Sequence, residues 1–236
     1  MTAASCFADA AASYDNHAQV QRWAAMHLLQ RAQPQSSWLD IGCGTGFVSA
    51  RLPAQQVIGV DIAMAMLQQG QGARLQGDMQ ALPLQSHSVA AVAANLSLQW
   101  SSDLSQSLRE AARVCQPNGQ LLFSVPAAGT FTELLPLVAR GQLACNQFLS
   151  AAELAAQVSA AGWQQVQVQT LKTCLYFDGP KSLLQHFKHT GAQHAQRSAG
   201  LRGRQWWQQI CTELEQYRSP QGLPLSWHIH LVEAKR

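Results

Sequence analysis

The segment Gly42-Cys43-Gly44-Thr45-Gly46 constrains this chain more than any other feature, because of what flanks it. Trp38-Leu39-Asp40-Ile41 before it reads as a short buried strand, and Phe47 to Leu52 after it as a helix. Val57-Ile58-Gly59-Val60-Asp61 reads as a second strand, and it ends in an acid 19 positions after Gly42. Glycines at such a turn let the backbone approach a ligand closely. The loop N–H groups and a helix dipole then favour an anionic or carboxylate group. A carboxylate at position 61 can accept from both hydroxyls of a ribose. A dinucleotide fingerprint calls for the third glycine three positions after the second. Here it comes two positions after, and Asp40 stands immediately before Ile41-Gly42.

The same rhythm runs through the first half of the chain. A helical stretch over about 5–32 carries Trp23, Met26, Leu28 and Leu29 and ends before Pro34. A helix over Ala63–Gln69, a third strand at Arg74–Gly77 and a fourth at Val89–Asn95 follow. Next come an amphipathic helix over Asp103–Cys115, a turn at Pro117-Asn118-Gly119 and a fifth strand over Gln120–Val125. Strands alternating with helices at this spacing predict right-handed βαβ units around a parallel sheet. After Pro126 the rhythm changes, and 127–150 reads as an insertion. A helix over Ala151–Ala161, a strand from Val166 to Leu171 or on to Phe177, and a closing strand over Ser226–Glu233 complete the pattern. Residues 179–217 read as helical with a Gly-rich break. The insertions 127–150 and 179–222 belong above the carboxyl edge of the sheet, where ligands of such folds bind.

Composition narrows the class. No apolar run reaches the roughly 20 residues of a membrane span. The first residues lack a basic flank and carry Asp9 and Asp15, unlike a signal peptide. Six cysteines without a C-x-x-C exclude a zinc ribbon and a disulfide framework and favour a reducing cytoplasm. His228 and His230 lack companion ligands, so no metal site is expected. The net charge is +3, and it is unevenly spread: Lys172, Lys181, Lys188, Arg197, Arg202 and Arg204 face only Asp178 within 172–204. That segment is either a solvated basic face or a docking patch for an acidic partner. A nucleic-acid binder calls for a stronger basic excess with interleaved aromatics.

Asp40-Ile41-Gly42-Cys43-Gly44-Thr45-Gly46 resembles the first motif of class I S-adenosylmethionine-dependent methyltransferases. Gly77-Asp78-Met79 is similar to their adenine-contacting segment, Ala94-Asn95-Leu96 to the end of their fourth strand, and Pro117-Asn118-Gly119 to their post-helix turn. The acid that this family often carries on its fourth strand is missing from Ser88-Val89-Ala90-Ala91-Val92. Further stretches resemble the branch that methylates malonyl-acyl carrier protein in biotin synthesis. They include Tyr14-Asp15 with His17-Ala18, Ala81-Leu82-Pro83-Leu84, Asn95-Leu96-Ser97-Leu98-Gln99-Trp100, Lys188-His189-Thr190-Gly191-Ala192 and Leu223-Pro224-Leu225-Ser226-Trp227-His228.

The resemblance implies a single Rossmann-like α/β domain over 1–236, with a mostly parallel seven-stranded sheet flanked by helices. It implies an N-terminal helical lid over 1–32, a cofactor-binding core over 36–126 and substrate-lid insertions at 127–150 and 179–222. The implied cofactor is S-adenosyl-L-methionine, held by Asp40, Gly42, Gly44, Gly46, Asp61, Ile62, Asp78, Met79 and Asn95. Gln99, Trp100, Lys188 and Arg202 fall on the substrate side and Tyr14 positions the reacting group; for the cation that clamps a substrate carboxylate the candidates are Arg204, Arg202 and Lys188, with Arg204 first. An acidic acyl carrier protein is the implied partner of 172–204, with no nucleic acid and no membrane. The alternatives are a methyltransferase of a free small carboxylate or a quinone-like ring, and a non-catalytic cofactor-binding protein.

Overall fold

The computed structural model describes residues 18–189 and 203–236. Seven strands form one sheet in the order β3-β2-β1-β4-β5-β7-β6. They are β1 Gln35–Ile41, β2 Ala54–Asp61, β3 Ala73–Gln76, β4 Val89–Asn95, β5 Cys115–Pro126, β6 Gln164–Phe177 and β7 Leu223–Lys235. The first five pair in parallel, whereas β7 runs antiparallel to β5. The helices are α1 Gln19–Leu29, α2 Met64–Leu67, α3 Leu104–Val114, α4 Leu135–Ala139, α5 Ala151–Ala160, α6 Pro180–His189 and α7 Arg204–Glu215. No helix among the described residues is long and apolar enough to cross a membrane.

The chain divides into two compact units. One comprises the described parts of 1–126, 150–171 and 229–236; the other comprises those of 127–149 and 172–228. The first unit holds the sheet centre. β4 is buried at six consecutive residues, Val89 to Ala94, as expected of a central strand covered on both faces. Under α1, Ala25 and Leu28 pack with Trp38, Ala91, Ala93 and Leu122 in one apolar cluster. α3 starts where Asp103 accepts the Gln106 N–H at 2.9 Å, and it buries Leu108, Ala111 and Ala112. In the second unit Phe131, fully buried at φ 61°, meets Trp227 edge-on at 4.5 Å. Buried Glu133 accepts from the backbone N–H and the hydroxyl of Ser226.

Two elements differ from the sequence reading. The helix expected over Phe47–Leu52 is a 3₁₀ turn at Ser49–Arg51. Pro53 forces Leu52 out to an extended ψ of 133° and leaves no room for a second turn. The fifth strand begins at Cys115, so Pro117-Asn118-Gly119 lies within it rather than before it. Asn118 takes φ 64°, the ladder to β4 shifts register between Val89 and Ala91, and Asn118 N–H and Gly119 C=O bond to the Arg236 backbone at 2.9 Å each.

A methyl group at Gly119 would lie 2.4 Å from the Ala90 carbonyl oxygen. Gly119→Ala should therefore lower the unfolding free energy by about 1–3 kcal/mol through overpacking against backbone. Urea denaturation followed by circular dichroism checks it, with an unchanged native spectrum expected.

Candidate active site

The glycine loop leaves β1 with Gly42, Gly44 and Gly46 at φ 67°, 53° and 92°, a region L side chains rarely adopt. Gly42 is required for a second reason: a Cβ there would sit 2.3 Å from Ser97 Cβ. Ser97, just past β4, is buried, and its hydroxyl donates to the Ile41 carbonyl at 2.7 Å. The Gly42 and Cys43 N–H groups both donate to the Val60 carbonyl, at 2.7 and 3.1 Å. Asp61, at the end of β2, accepts the Gly44 N–H at 2.9 Å and the Ala63 N–H at 2.8 Å. One carboxylate thus joins the loop after β1 to the turn that starts α2. From β3, Arg74 donates to the Gly44 and Thr45 carbonyls at 3.1 and 3.2 Å.

These segments wall a cavity of about 370 Å³ bordered by Gly42, Gly44, Asp61, Ile62, Asp78, Met79, Asn95 and Trp100. Val60, Met66 and Leu96 give it apolar walls, while Gln80, Ser101 and Ser102 add polar groups. Asp78 is exposed and accepts the Gln80 N–H at 2.9 Å; the Gln80 side-chain oxygen accepts from Ser102 and from the Asp103 N–H at 3.0 and 3.1 Å. Asn95 is fixed by both ends of its amide, donating to the Gln21 carbonyl at 3.0 Å and accepting from Ser124 at 2.8 Å. A smaller cavity of about 50 Å³ shares Gly42, Gly44 and Asn95 and adds Arg22, Asp40 and Thr45.

Asp40 is the unusual group here. It is 1% exposed, and Ser49 donates to it at 2.5 Å. Burial raises its pKa from an ordinary 3.8 to about 6, against the opposing pull of that hydrogen bond and of Arg74. Burial and the charges of Asp40 and Asp61 also push the Cys43 thiol far up, so it is neutral and inert as a nucleophile.

The cavities bring together Asp40, Gly42, Gly44, Asp61, Ile62, Asp78, Met79, Asn95 and Trp100. Gly46 stands behind the loop against Arg74. Gln99 is turned aside, its amide donating to the Leu96 carbonyl at 2.8 Å. Arg204 opens α7 in the second unit and is exposed. Lys188 lies in α6, its side chain outside those described; Tyr14 and Arg202 lie outside the described residues. The sequence reading missed Ser97, Gln80, Ser102 and Arg74. Arg74 carried a signal, being the only Lys or Arg between Arg51 and Arg109. No cluster of three metal-binding side chains occurs among the described residues.

The donor set fits the nucleoside of S-adenosylmethionine. An ionised carboxylate offers about four lone-pair sites, and Asp61 spends two on backbone, leaving two for vicinal hydroxyls. A Cβ at Gly44 would meet nothing within 4 Å, so the loop leaves space for a ligand at that point. The volume lies in the usual range of small-molecule sites.

A family model described as "Methyltransferase domain" matches residues 39–123. The YcgJ protein of Bacillus subtilis superposes with a TM-score of 0.66 at 19% identity, covering 91% of this chain and 98% of that one. A methyltransferase of Thermotoga maritima does so at 0.61 and 17%, covering 98% of each. Fold, glycine loop and cavity together define a class I S-adenosylmethionine-dependent methyltransferase. The malonyl-[acyl-carrier protein] O-methyltransferase of Alcanivorax borkumensis is 35% identical over 98% of this chain and 84% of its own length. That of Yersinia pestis is 36% identical over 96% and 88%. The chain belongs to the malonyl-[acyl-carrier protein] O-methyltransferase family.

The raised pKa of Asp40 has a signed consequence for the free protein. The native state holds this proton more tightly than the unfolded chain, so the contribution of Asp40 to stability is lost as pH rises from 3.8 to about 6. The loss amounts to roughly 3 kcal/mol if the shift is fully expressed. Asp40→Asn should remove this dependence and raise the melting temperature at pH 7.5 but not at pH 4, as read by differential scanning fluorimetry across pH. A variant less stable than the parent at pH 7.5 would contradict a buried, costly charge.

Proposed function

We propose that this protein transfers the methyl group of S-adenosylmethionine to the free carboxylate of a malonyl thioester on acyl carrier protein, giving the malonyl methyl ester that primes pimeloyl and biotin synthesis. The observation that carries this reading is the identity of 35–36% with malonyl-[acyl-carrier protein] O-methyltransferases along nearly the whole chain. Asp61 receives the ribose hydroxyls and Asp78 the adenine amine, with Ile62 and Met79 against the ring. Asp40, Asn95, Gly42 and Gly44 border the amino-acid end, and Gly46 shapes the loop behind them.

The bound cofactor supplies a sulfonium methyl: a carboxylate oxygen forms the new C–O bond as the C–S bond breaks, leaving a neutral thioether. A malonyl carboxylate is already ionised near neutral pH, so the protein has no proton to remove. This agrees with the side chains around the cavities, among which no described histidine appears and the one thiol is held neutral. The protein's work is orientation and exclusion of water around two opposite charges.

The substrate carboxylate needs a cation or hydrogen-bond donors, and Arg offers a planar two-point match. Arg204 takes that role, with Arg202 and Lys188 nearby in sequence. Tyr14 positions the reacting group, and Gln99 and Trp100 border the acyl arm. Methylation removes the charge that the cation holds, so product binds less tightly than substrate. The N-terminal segment 1–32 and the insertions 127–150 and 179–222 serve the substrate side of one catalytic domain. The basic segment 172–204 receives the acidic carrier protein. The five described cysteines are all free thiols, in keeping with a reducing, cytoplasmic setting.

Initial rates of methyl transfer to malonyl-carrier protein, malonyl-CoA and free malonate, each over a range of salt, test this reading. The carrier substrate should be fastest and fall most steeply with salt, because charges steering association are screened over about 8 Å at physiological ionic strength. Parallel salt curves for the two thioesters would leave 172–204 as a solvated face. Equal turnover of free malonate would point to a small-carboxylate methyltransferase, and none with any substrate to a protein that only binds the cofactor.

A further inference from the structure

The loop carbonyls pose a problem that the sequence motif does not solve. In a longer helix the carbonyls at its entry accept N–H groups from the next turn. Here the helix is cut to Ser49–Arg51, and the next-turn N–H of Ala50 goes to Gly46. The Gly44 and Thr45 carbonyls are met instead from β3. Arg74 donates through Nη1 to Gly44 and through Nη2 to Thr45, while its Nε donates to the Gln71 carbonyl at 2.8 Å. Three backbone carbonyls therefore hold one guanidinium in a fixed plane.

The guanidinium also occupies a slot made of glycine. A Cβ at Gly46 would lie 1.9 Å from Arg74 Nη2, and one at Gly70 1.9 Å from both Cζ and Nη2. No other side chain is seated against two of the described glycines. Gly44 is consequently gripped at both ends, its N–H by Asp61 and its carbonyl by Arg74.

We infer that Arg74 is a positioning residue for methyl-donor binding, which presets the glycine loop in its ligand-ready form. Its role depends on the donor site proposed above. Three glycines at positive φ make a loop with much freedom to lose on binding. A loop held beforehand loses less, which appears as affinity and not as rate. Lysine is a poor substitute, because one ammonium cannot reach two carbonyls in a fork.

Two variants probe the slot from opposite sides. Arg74→Met removes the guanidinium. Gly70→Ala leaves the charge but fills its place, and the Gly70 backbone is not in the positive-φ region, so alanine itself is tolerated there. Calorimetric titration with S-adenosylhomocysteine should show the Kd raised about tenfold in both. In steady-state kinetics the KM for S-adenosylmethionine should rise in parallel, with kcat at saturating cofactor within about twofold of the parent. Guanidinium ion, added well below denaturing concentrations, should restore affinity to Arg74→Met and not to Gly70→Ala. Parental Kd in both variants would overturn the role. So would a fall in kcat matching the loss of affinity with no rescue, since that is the behaviour of general structural damage. Failure of the parent protein itself to bind S-adenosylhomocysteine would overturn the donor site and Arg74's role with it.

Discussion

Everything at the site hangs on the Asp61 carboxylate. It takes one N–H from the glycine loop and one from the turn into α2, at 2.9 and 2.8 Å. These two bonds fix the separation of the segments that wall the cavity. The position of the carboxylate follows from the sheet, because Gly42 and Cys43 bond to Val60, the residue before it. A strand end, a strained loop and a helix entry are thereby locked by a single side chain. The same side chain keeps lone pairs for a ligand.

The rest of the site shows how this arrangement is held and what it costs. Ser97 presses against Gly42, Arg74 holds the loop carbonyls, and Asn95 reaches back to the α1 backbone at Gln21. The guanidinium of Arg22, also on α1, lies 5.6 Å above the Phe47 ring beyond the loop. The buried charge of Asp40 is the destabilising element, with the Ser49 hydroxyl donating to it. Active sites commonly keep groups that a stability optimum would discard. A carboxylate beside a small cavity is such a group, useful to a cationic ligand and costly without one.

Much of the fold was legible in the sequence. β4 was readable over its full length because an apolar run bounded by Ser88 and Asn95 admits little else. The strand–glycine–acid unit was readable because each part serves backbone geometry or charge. What escaped was decided partly by a neighbouring proline and partly by tertiary context. The helix after the loop was lost to Pro53, and the turn at Pro117-Asn118-Gly119 became part of a strand because the Arg236 backbone bonds to it from far along the chain. The residues that border the cavities were legible because the motif fixes their spacing. Arg74 stood out in the sequence only as a lone cation between Arg51 and Arg109; its role was not legible, since its loop partners lie about 30 positions away and are carbonyls, which leave no mark on a sequence. Gln99, expected on the substrate side, turns its amide to Leu96, an orientation set by the positive φ of Leu96 and the 3₁₀ turn that follows.

The central claim is that the Asp61 carboxylate, already holding two backbone N–H groups, is the seat of the donor's ribose. A crystal structure of the protein with S-adenosylhomocysteine tests it most directly. The nucleoside should fill the larger cavity, with both ribose hydroxyls bonded to Asp61 while the Gly44 and Ala63 bonds persist, and with the adenine amine at Asp78. A nucleoside bound elsewhere, or one that breaks the Gly44–Asp61 bond in order to bind, would contradict it.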